Sequence, residues 1–281
     1  MELQTKVDIA RAPFEIGPCE EVLLVGSCFA DGIGRRFREE GFPVTVNPYG
    51  TMYNPASVLH TIERYEGKPR TVFITLGTNH VYIEKETGRI VDNCEKRPQS
   101  LFQEERLTVA ECADYLRQAV DVLRQRNPEV HVVFTVSPIR YRKYGYHESQ
   151  LSKAALLLAV QDVCIGLNGR ARTEVPNCPC PSVAYFPAYE IVMDELRDYR
   201  FYAPDMLHPS QQAVDYIWER LVDYCFSADA KAYLEEWRPL KQALAHKPFH
   251  PEAPEYQALM DKTMLKVAEL RKKYPTFAIE K

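Results

Sequence analysis

Leu23-Leu24-Val25-Gly26-Ser27-Cys28-Phe29-Ala30 is the stretch that decides how this chain folds. A short apolar run ends at Gly-Ser, and a helical pattern begins at once. An unbroken apolar run of this length suits a strand buried on both faces of a parallel sheet. The change of period puts Ser27 at the C-terminal tip of that strand and at a helix N-terminus. Open α/β sheets bind and react with ligands at such tips. A helix N-terminus also offers unpaired N–H groups to a developing negative charge. The plain reading of Ser27 is a helix N-cap, a position that favours serine. The chemical reading needs a base, and one stands far along the chain in Asp205-Met206-Leu207-His208.

Working outward, Phe29, Ile33 and Phe37 share one face of a helix over 28–40, which Gly41 ends. Pro43 to Val46 reads as a second strand, followed by the turn-rich Asn47-Pro48-Tyr49-Gly50. Asn54-Pro55 caps and starts another helix. Thr71 to Thr75 is a buried-type strand ending near Gly77, and Val81–Ile83 with Arg89–Val91 reads as a hairpin around Glu86-Thr87-Gly88. A helix from Val109 to Arg126 stops at Asn127-Pro128. Val130 to Val136 is a strand, about 150–167 a helix, and Val183 to Phe186 a further strand. This alternation predicts an α/β fold in three layers, α/β/α, with a mainly parallel sheet of about five strands. After His208 only helical patterns remain, over 210–226, about 229–246 and about 254–273. The expected organisation is a domain over 1–228 and a C-terminal helical extension over 229–281.

A net charge of −4 over 281 residues argues against a nucleic-acid partner, which would need a basic field to meet phosphates. No apolar stretch reads as a membrane span, and no membrane partner is expected. Met1-Glu2-Leu3-Gln4-Thr5-Lys6 lacks a basic flank before an apolar core, so the expected location is cytoplasmic. The eight cysteines are irregularly spaced, and Cys178-Pro179-Cys180 is their one close pair. With no second pair or nearby histidine to complete four ligands, free thiols are expected and no metal. Lys262, Lys266, Lys272 and Lys273 read as the solvated face of the last helix.

Four loops, each after a strand-like run, carry groups suited to acyl transfer. Ser27 is a candidate nucleophile, which needs a base to take its proton. His208 is the candidate base, and Asp205 would fix its tautomer and stabilise the imidazolium. The N–H groups of Ser27 and Gly50 and the amide of Asn79 are candidate oxyanion donors, each worth about 3 kcal/mol in known oxyanion holes. Other readings stand beside these. Cys28 is a more nucleophilic neighbour, expected to point into the core. His80 follows a strand tip and is a rival base or a substrate contact. Arg140, with Arg142 and Lys143, would face the cleft and bind an anionic group, or form a solvated loop. Asn79 and Gly50 could serve turns alone. Tyr199-Arg200-Phe201-Tyr202 would form an aromatic wall or, as expected here, pack the C-terminal helices.

The order Gly-Ser, loop Gly, Gly-x-Asn, Asp-x-x-His resembles that of the SGNH (GDSL-type) hydrolases. More closely, Gly26-Ser27-Cys28-Phe29-Ala30 is the string that names the GSCFA domain family. Asn47-Pro48-Tyr49-Gly50, Ser137-Pro138-Ile139-Arg140 and Asp205-Met206-Leu207-His208-Pro209-Ser210 resemble that family too. The resemblance implies a flavodoxin-like sheet, with Ser27 as nucleophile, His208 as base, Asp205 as its orienter, and Gly50 and Asn79 in the oxyanion hole. It departs from the SGNH pattern twice: Gly26 stands where Asp precedes the serine, and His80 follows Asn79 where Asp is usual. The expected activity is hydrolysis of a carboxylic ester of a small acyl group such as acetyl. The carrier would be a small molecule or glycan, and no metal or organic cofactor takes part. A non-catalytic ligand-binding protein on the same fold, or an acyltransferase using the same triad, is the alternative. The oligomeric state is not specified.

Overall fold

The chain alternates strand and helix from β1 (Val22–Gly26) through α1 (Cys28–Glu39), β2 (Val44–Val46), α2 (Pro55–Arg64) and β3 (Thr71–Leu76). An excursion of three short strands follows: β4 (His80–Glu84), β5 (Ile90–Val91) and β6 (Phe102–Arg106). Then come α3 (Val109–Arg126), β7 (His131–Val136), α4 (Tyr146–Thr173), β8 (Val183–Tyr185) and the short α5 (Ala188–Glu190), which runs into a π-helical turn. Helices α6 (Gln211–Cys225), α7 (Ala228–Ala245) and α8 (Pro254–Lys273) complete the order. These elements belong to a computed structural model that describes residues 4–92, 94, 97–173 and 182–279.

Five strands form one parallel sheet in the order β2-β1-β3-β7-β8. Counting these strands alone, the order is 2-1-3-4-5, the flavodoxin-like winding, whose switch point lies between β1 and β3. The apolar runs explain why this sheet sits inside. Val22 and Leu24 face a core shared with Phe29, Ile33, Phe37, Trp218 and Phe226. Leu23 and Val25 face the opposite core with Ile62, Leu116 and Val160. Helices α1, α6 and α7 therefore cover one face, and α2, α3 and α4 the other. The expected three-layer fold with added C-terminal helices is what forms. The added helices close the end of α1: Trp237 donates from Nε1 to the Glu39 carbonyl at 3.0 Å and meets the Phe277 ring at 5.0 Å.

Three expectations change. Strand β6, Phe-Gln-Glu-Glu-Arg, was not anticipated; only Phe102 of it is buried, so it carries no apolar alternation. Helix α4 begins at Tyr146, directly after Gly145 at φ +80°, four residues before the expected start. Its segment Tyr146–Leu167 is also long and apolar enough to cross a membrane by length and composition, contrary to the expectation of no such stretch. Leu156, Ala159, Val160, Val163 and Leu167 pack it into the second core. Cys178 and Cys180 lie outside the described residues. Among the described residues no His, Cys, Asp and Glu side chains gather as a metal cluster.

Candidate active site

Sheet register sets where the site lies. Gly26 pairs with Thr75, and Thr75 with Thr135, so the tips of β1, β3 and β7 lie together. Ser27 leaves the β1 tip as the N-cap of α1, its Oγ accepting the Phe29 N–H at 3.3 Å. The same oxygen shares a hydrogen bond with the Thr75 hydroxyl at 3.1 Å. Gly26 sits at φ +140°, and a Cβ there would run into the Thr75 carbonyl oxygen. The glycine at the position that SGNH hydrolases give to aspartate therefore has a steric cause.

The second half of the site arrives through helix packing. Gly32 faces Val214, Arg36 pairs with Asp215, and the Phe37 ring meets Trp218 at 4.8 Å. In this register α6 runs parallel to α1, which brings its N-terminus to the sheet end that holds Ser27. The loop Asp205–His208 immediately precedes that N-terminus. It is tied to the β7 side as well: the Arg140 N–H donates to Leu207 O at 3.0 Å, and Arg140 Nη1 to Met206 O at 3.1 Å.

Within the loop, Asp205 Oδ1 accepts the N–H of Leu207 at 2.9 Å and of His208 at 3.0 Å. Its Oδ2 lies 2.6 Å from His208 Nδ1. These hydrogen bonds, led by that of the His208 N–H, bring the carboxyl down to about 2. A carboxylate held ionised takes the Nδ1–H of the imidazole, so Nε2 keeps its lone pair as a base requires. Met206, between the pair, adopts a left-handed φ of +58°.

The expected residues meet only in part. Ser27 and the Asp205–His208 pair share one sheet end, but no hydrogen bond joins Ser27 to His208 among the described residues. Ser27 is 1% exposed, whereas the side chains of His208 and Asp205 are 42% and 45% exposed. Each expected oxyanion donor group makes one hydrogen bond in the structure, although the Asn79 amide carries a second N–H. Ser27 N–H donates to Thr75 O at 2.9 Å, extending the β1–β3 ladder by one residue. Gly50 N–H closes a turn on Asn47 O at 2.9 Å, and Asn79 Nδ2 donates to Leu107 O at 2.7 Å. The Cys28 N–H, at the first helical position, is given no acceptor among the described residues. Cys28 is half-buried rather than in the core, with Sγ 3.4 Å from the Tyr53 hydroxyl. Arg140 holds the His208 loop, is boxed by the rings of Tyr146 (4.3 Å), Tyr199 (5.7 Å) and Tyr202 (5.5 Å), and with the last two lines a cleft of 240 Å³.

Two further groups escaped sequence reading. Lys153 on α4 is buried and donates from Nζ to Gly77 O and Ser137 O, both at 2.7 Å, gripping the ends of β3 and β7. Burial alone pushes its ammonium down to about 7. One lysine on the inner face of the apolar run Ala154 to Val160 was the available signal. Glu104 on β6 lies with Oε1 2.8 Å from His80 Nδ1, and no pattern around it announced a strand. The expected His80 is thus the partner of a carboxylate, not of Ser27.

With this geometry in hand, comparison with known proteins places the chain. The GSCFA family matches residues 21–71 and 66–221, and the C-terminal domain of GSCFA domain proteins matches 237–281. No curated protein matches it by sequence. Among solved structures it is similar to a family 3 carbohydrate esterase of Clostridium thermocellum, at 14% identity and a TM-score of 0.42, over 81% of this chain and 99% of that one. It is similar to a family 3 carbohydrate esterase from Talaromyces cellulolyticus at 13% identity and a TM-score of 0.41, over 72% and 94%. An acetyl xylan esterase from Butyrivibrio proteoclasticus is similar at 11% identity and a TM-score of 0.43, over 74% and 64%. The family matches cover most of the chain, from the Gly26-Ser27 turn to the Asp205–His208 loop: this protein belongs to the GSCFA family.

Proposed function

We propose that this protein is a serine hydrolase of carboxylic esters, with Ser27 as nucleophile, His208 as base and Asp205 as its orienting carboxylate. The observation that carries the reading is the Asp205–His208 pair, at 2.6 Å, on a loop at the same sheet end as the Ser27 N-cap. Ser27 Oγ would turn from Thr75 toward His208 Nε2, lose its proton there and attack the acyl carbon. The alcohol would leave with that proton, and water deprotonated by His208 would release the acid from the acyl-enzyme. The Cys28 N–H, at the positive end of α1, and the second N–H of the Asn79 amide are donors left for the oxyanion. The acyl group is small, such as acetyl, on a small-molecule or glycan alcohol. A second reading, a ligand-binding protein without turnover, is favoured by the burial of Ser27 and the occupied N–H groups of Ser27 and Gly50.

The test is hydrolysis of p-nitrophenyl acetate together with labelling by a fluorophosphonate. Wild type is expected to turn over and label, and Ser27→Ala to do neither, with a rate at least ~10³-fold lower. Wild type silent in both assays establishes the binding reading. Ser27→Ala equal to wild type moves the nucleophile elsewhere, with Cys28 the first residue to examine.

A further inference from the structure

The β4–β6 excursion and the turn at 142–144 enclose a cavity of 590 Å³. That is the size of a small-molecule site. Its walls include Tyr53, His80, Tyr82, Glu104, Tyr141 and Tyr144. It abuts the Ser27 turn, because the Tyr53 hydroxyl lies 3.4 Å from Cys28 Sγ and its ring meets Tyr141 edge-on at 5.7 Å.

His80 is the unexplained group in this wall. Its side chain is 7% exposed, and its ring stacks on Tyr144 at 3.8 Å, nearly coplanar at 8°. Glu104 on Nδ1 fixes the Nδ1–H form, which leaves a lone pair on Nε2. That Nε2 is buried without a hydrogen-bond partner. A buried polar atom left unpaired is costly, so it calls for an explanation. Arg97 Nε in the same wall is likewise buried without a partner, while the tyrosines and Lys143 nearest His80 are satisfied. The hydroxyls of Tyr82 and Tyr144 bond at 2.7 Å, and Lys143 bonds Tyr82 and approaches Glu104 at 3.6 Å.

We propose that the cavity binds a hydroxylated ring, a sugar, and that His80 Nε2 accepts a hydrogen bond from one of its hydroxyls. An acceptor asks for a donor, which a hydroxyl supplies and an ionised carboxylate or phosphodiester facing it does not. The cavity's cations among the described residues are paired, Arg97 through Nη1 with Glu84 and Lys143 with Glu104, and Arg97 Nε, buried without a partner, is a donor that a hydroxyl oxygen can accept from. Aromatic rings beside placed polar groups suit a ligand with apolar C–H faces and hydroxyl edges. The cavity's role as the site for the alcohol half of an ester rests on the hydrolase reading; sugar binding itself does not.

The test is ligand-observed NMR with methyl glycopyranosides of gluco, galacto, xylo and manno configuration. Methoxycyclohexane serves as the ring without hydroxyls. At least one glycoside is expected to bind wild type and Ser27→Ala alike, and to lose roughly tenfold or more in affinity in His80→Phe, which keeps the ring stack. Binding of methoxycyclohexane should not discriminate wild type from that variant. In wild type, the ¹⁵N resonance of His80 Nε2 should move upfield as the glycoside titrates in, a readout that does not depend on the variant folding. No binding by any glycoside, equal binding by His80→Phe, or an unmoved Nε2 resonance at saturation overturns the proposal. Sugar binding without fluorophosphonate labelling of Ser27 upholds the cavity and removes the hydrolase; labelling without sugar binding does the reverse.

Discussion

Asp205–His208 and Glu104–His80 use the same chemistry on opposite supports. In both, a carboxylate oxygen lies against Nδ1, at 2.6 Å in the first and 2.8 Å in the second. The first pair sits on a loop, half in solvent, its carboxylate held by two backbone N–H groups. The second spans two antiparallel strands. Tyr82 pairs with Glu104 and His80 with Arg106, so His80 meets Glu104 on the diagonal of one face. Its ring is clamped by Tyr144 and nearly sealed from water. An imidazole that can reach solvent and a mobile hydroxyl can take up and return protons during turnover. One locked in a stack presents its Nε2 in one fixed direction. Environment, more than residue type, separates the base from the binding contact.

The largest expected effect breaks or confirms that division. Asp205→Asn should lower kcat for p-nitrophenyl acetate by about 10⁴, because an amide no longer holds the Nδ1–H form, whereas Glu104→Gln should cost on the order of tenfold or less. Equal losses would mean that the two pairs had been assigned the wrong way round. The pH profile adds a check. The Asp205 carboxyl lies below its ordinary value of 3.8, at about 2. Its contribution to holding the loop is therefore present above pH 4 and lost only as pH falls through about 2. An acid limb of kcat/KM above that window must belong to another group.

The next effect concerns the lysine beneath both pairs. Lys153 grips Gly77 O, where β3 leads to His80, and Ser137 O, where β7 leads to Arg140 and the His208 loop. Its value falls from 10.5 to about 7 in the folded chain. Between those limits the unfolded chain binds the extra proton, so stability should rise with pH, at about 1.4 kcal/mol per unit. Lys153→Met removes that slope. Urea unfolding of both proteins from pH 7.5 to 9.5 measures it. Parallel stability curves would show an ammonium that stays charged and holds the strand tips as a cation.

What could be read before the structure follows from how local each signal is. Strand β1 and helix α1 were legible because Leu23 to Val25 are buried on both sheet faces and Phe29, Ile33 and Phe37 repeat at helical spacing. Asp205 and His208 were legible as a pair because only two residues of one loop separate them. Glu104 was not, since its partner lies 24 residues away across a strand with a single buried side chain. The oxyanion donors failed for a related reason. Ser27, Gly50 and Asn79 have the right chemistry, and the turn that joins Gly50 to Asn47 is local, but nothing local says that the Thr75 and Leu107 carbonyls take hydrogens of Ser27 and Asn79. Lys153 sat in plain view, yet what it binds depends on two strand ends 60 or more residues apart in the chain's order, since β3 ends at Leu76 and β7 at Val136.

The smallest effect sharpens the comparison at the loop itself. Met206 holds φ +58° beside His208. A left-handed L-residue costs roughly 1–2 kcal/mol, and glycine at the same position loses about 0.5–1 kcal/mol in backbone entropy on folding. Met206→Gly should therefore leave global stability within about 1 kcal/mol. Arg140 still takes the carbonyl at 206, and Asp205 still takes the N–H groups at 207 and 208, so the loop keeps its anchors. What it loses is stiffness between Asp205 and His208. A looser base costs rate because fewer encounters have the reacting atoms aligned, and a fall in kcat of about 2–5-fold is expected. Glycoside binding at His80 should not change, since among the described residues no hydrogen bond joins a side chain of that wall to the loop. A fall beyond ~10² with stability intact would mean that the half-exposed Met206 side chain meets the substrate, placing a binding contact on the loop that the comparison reserves for the base.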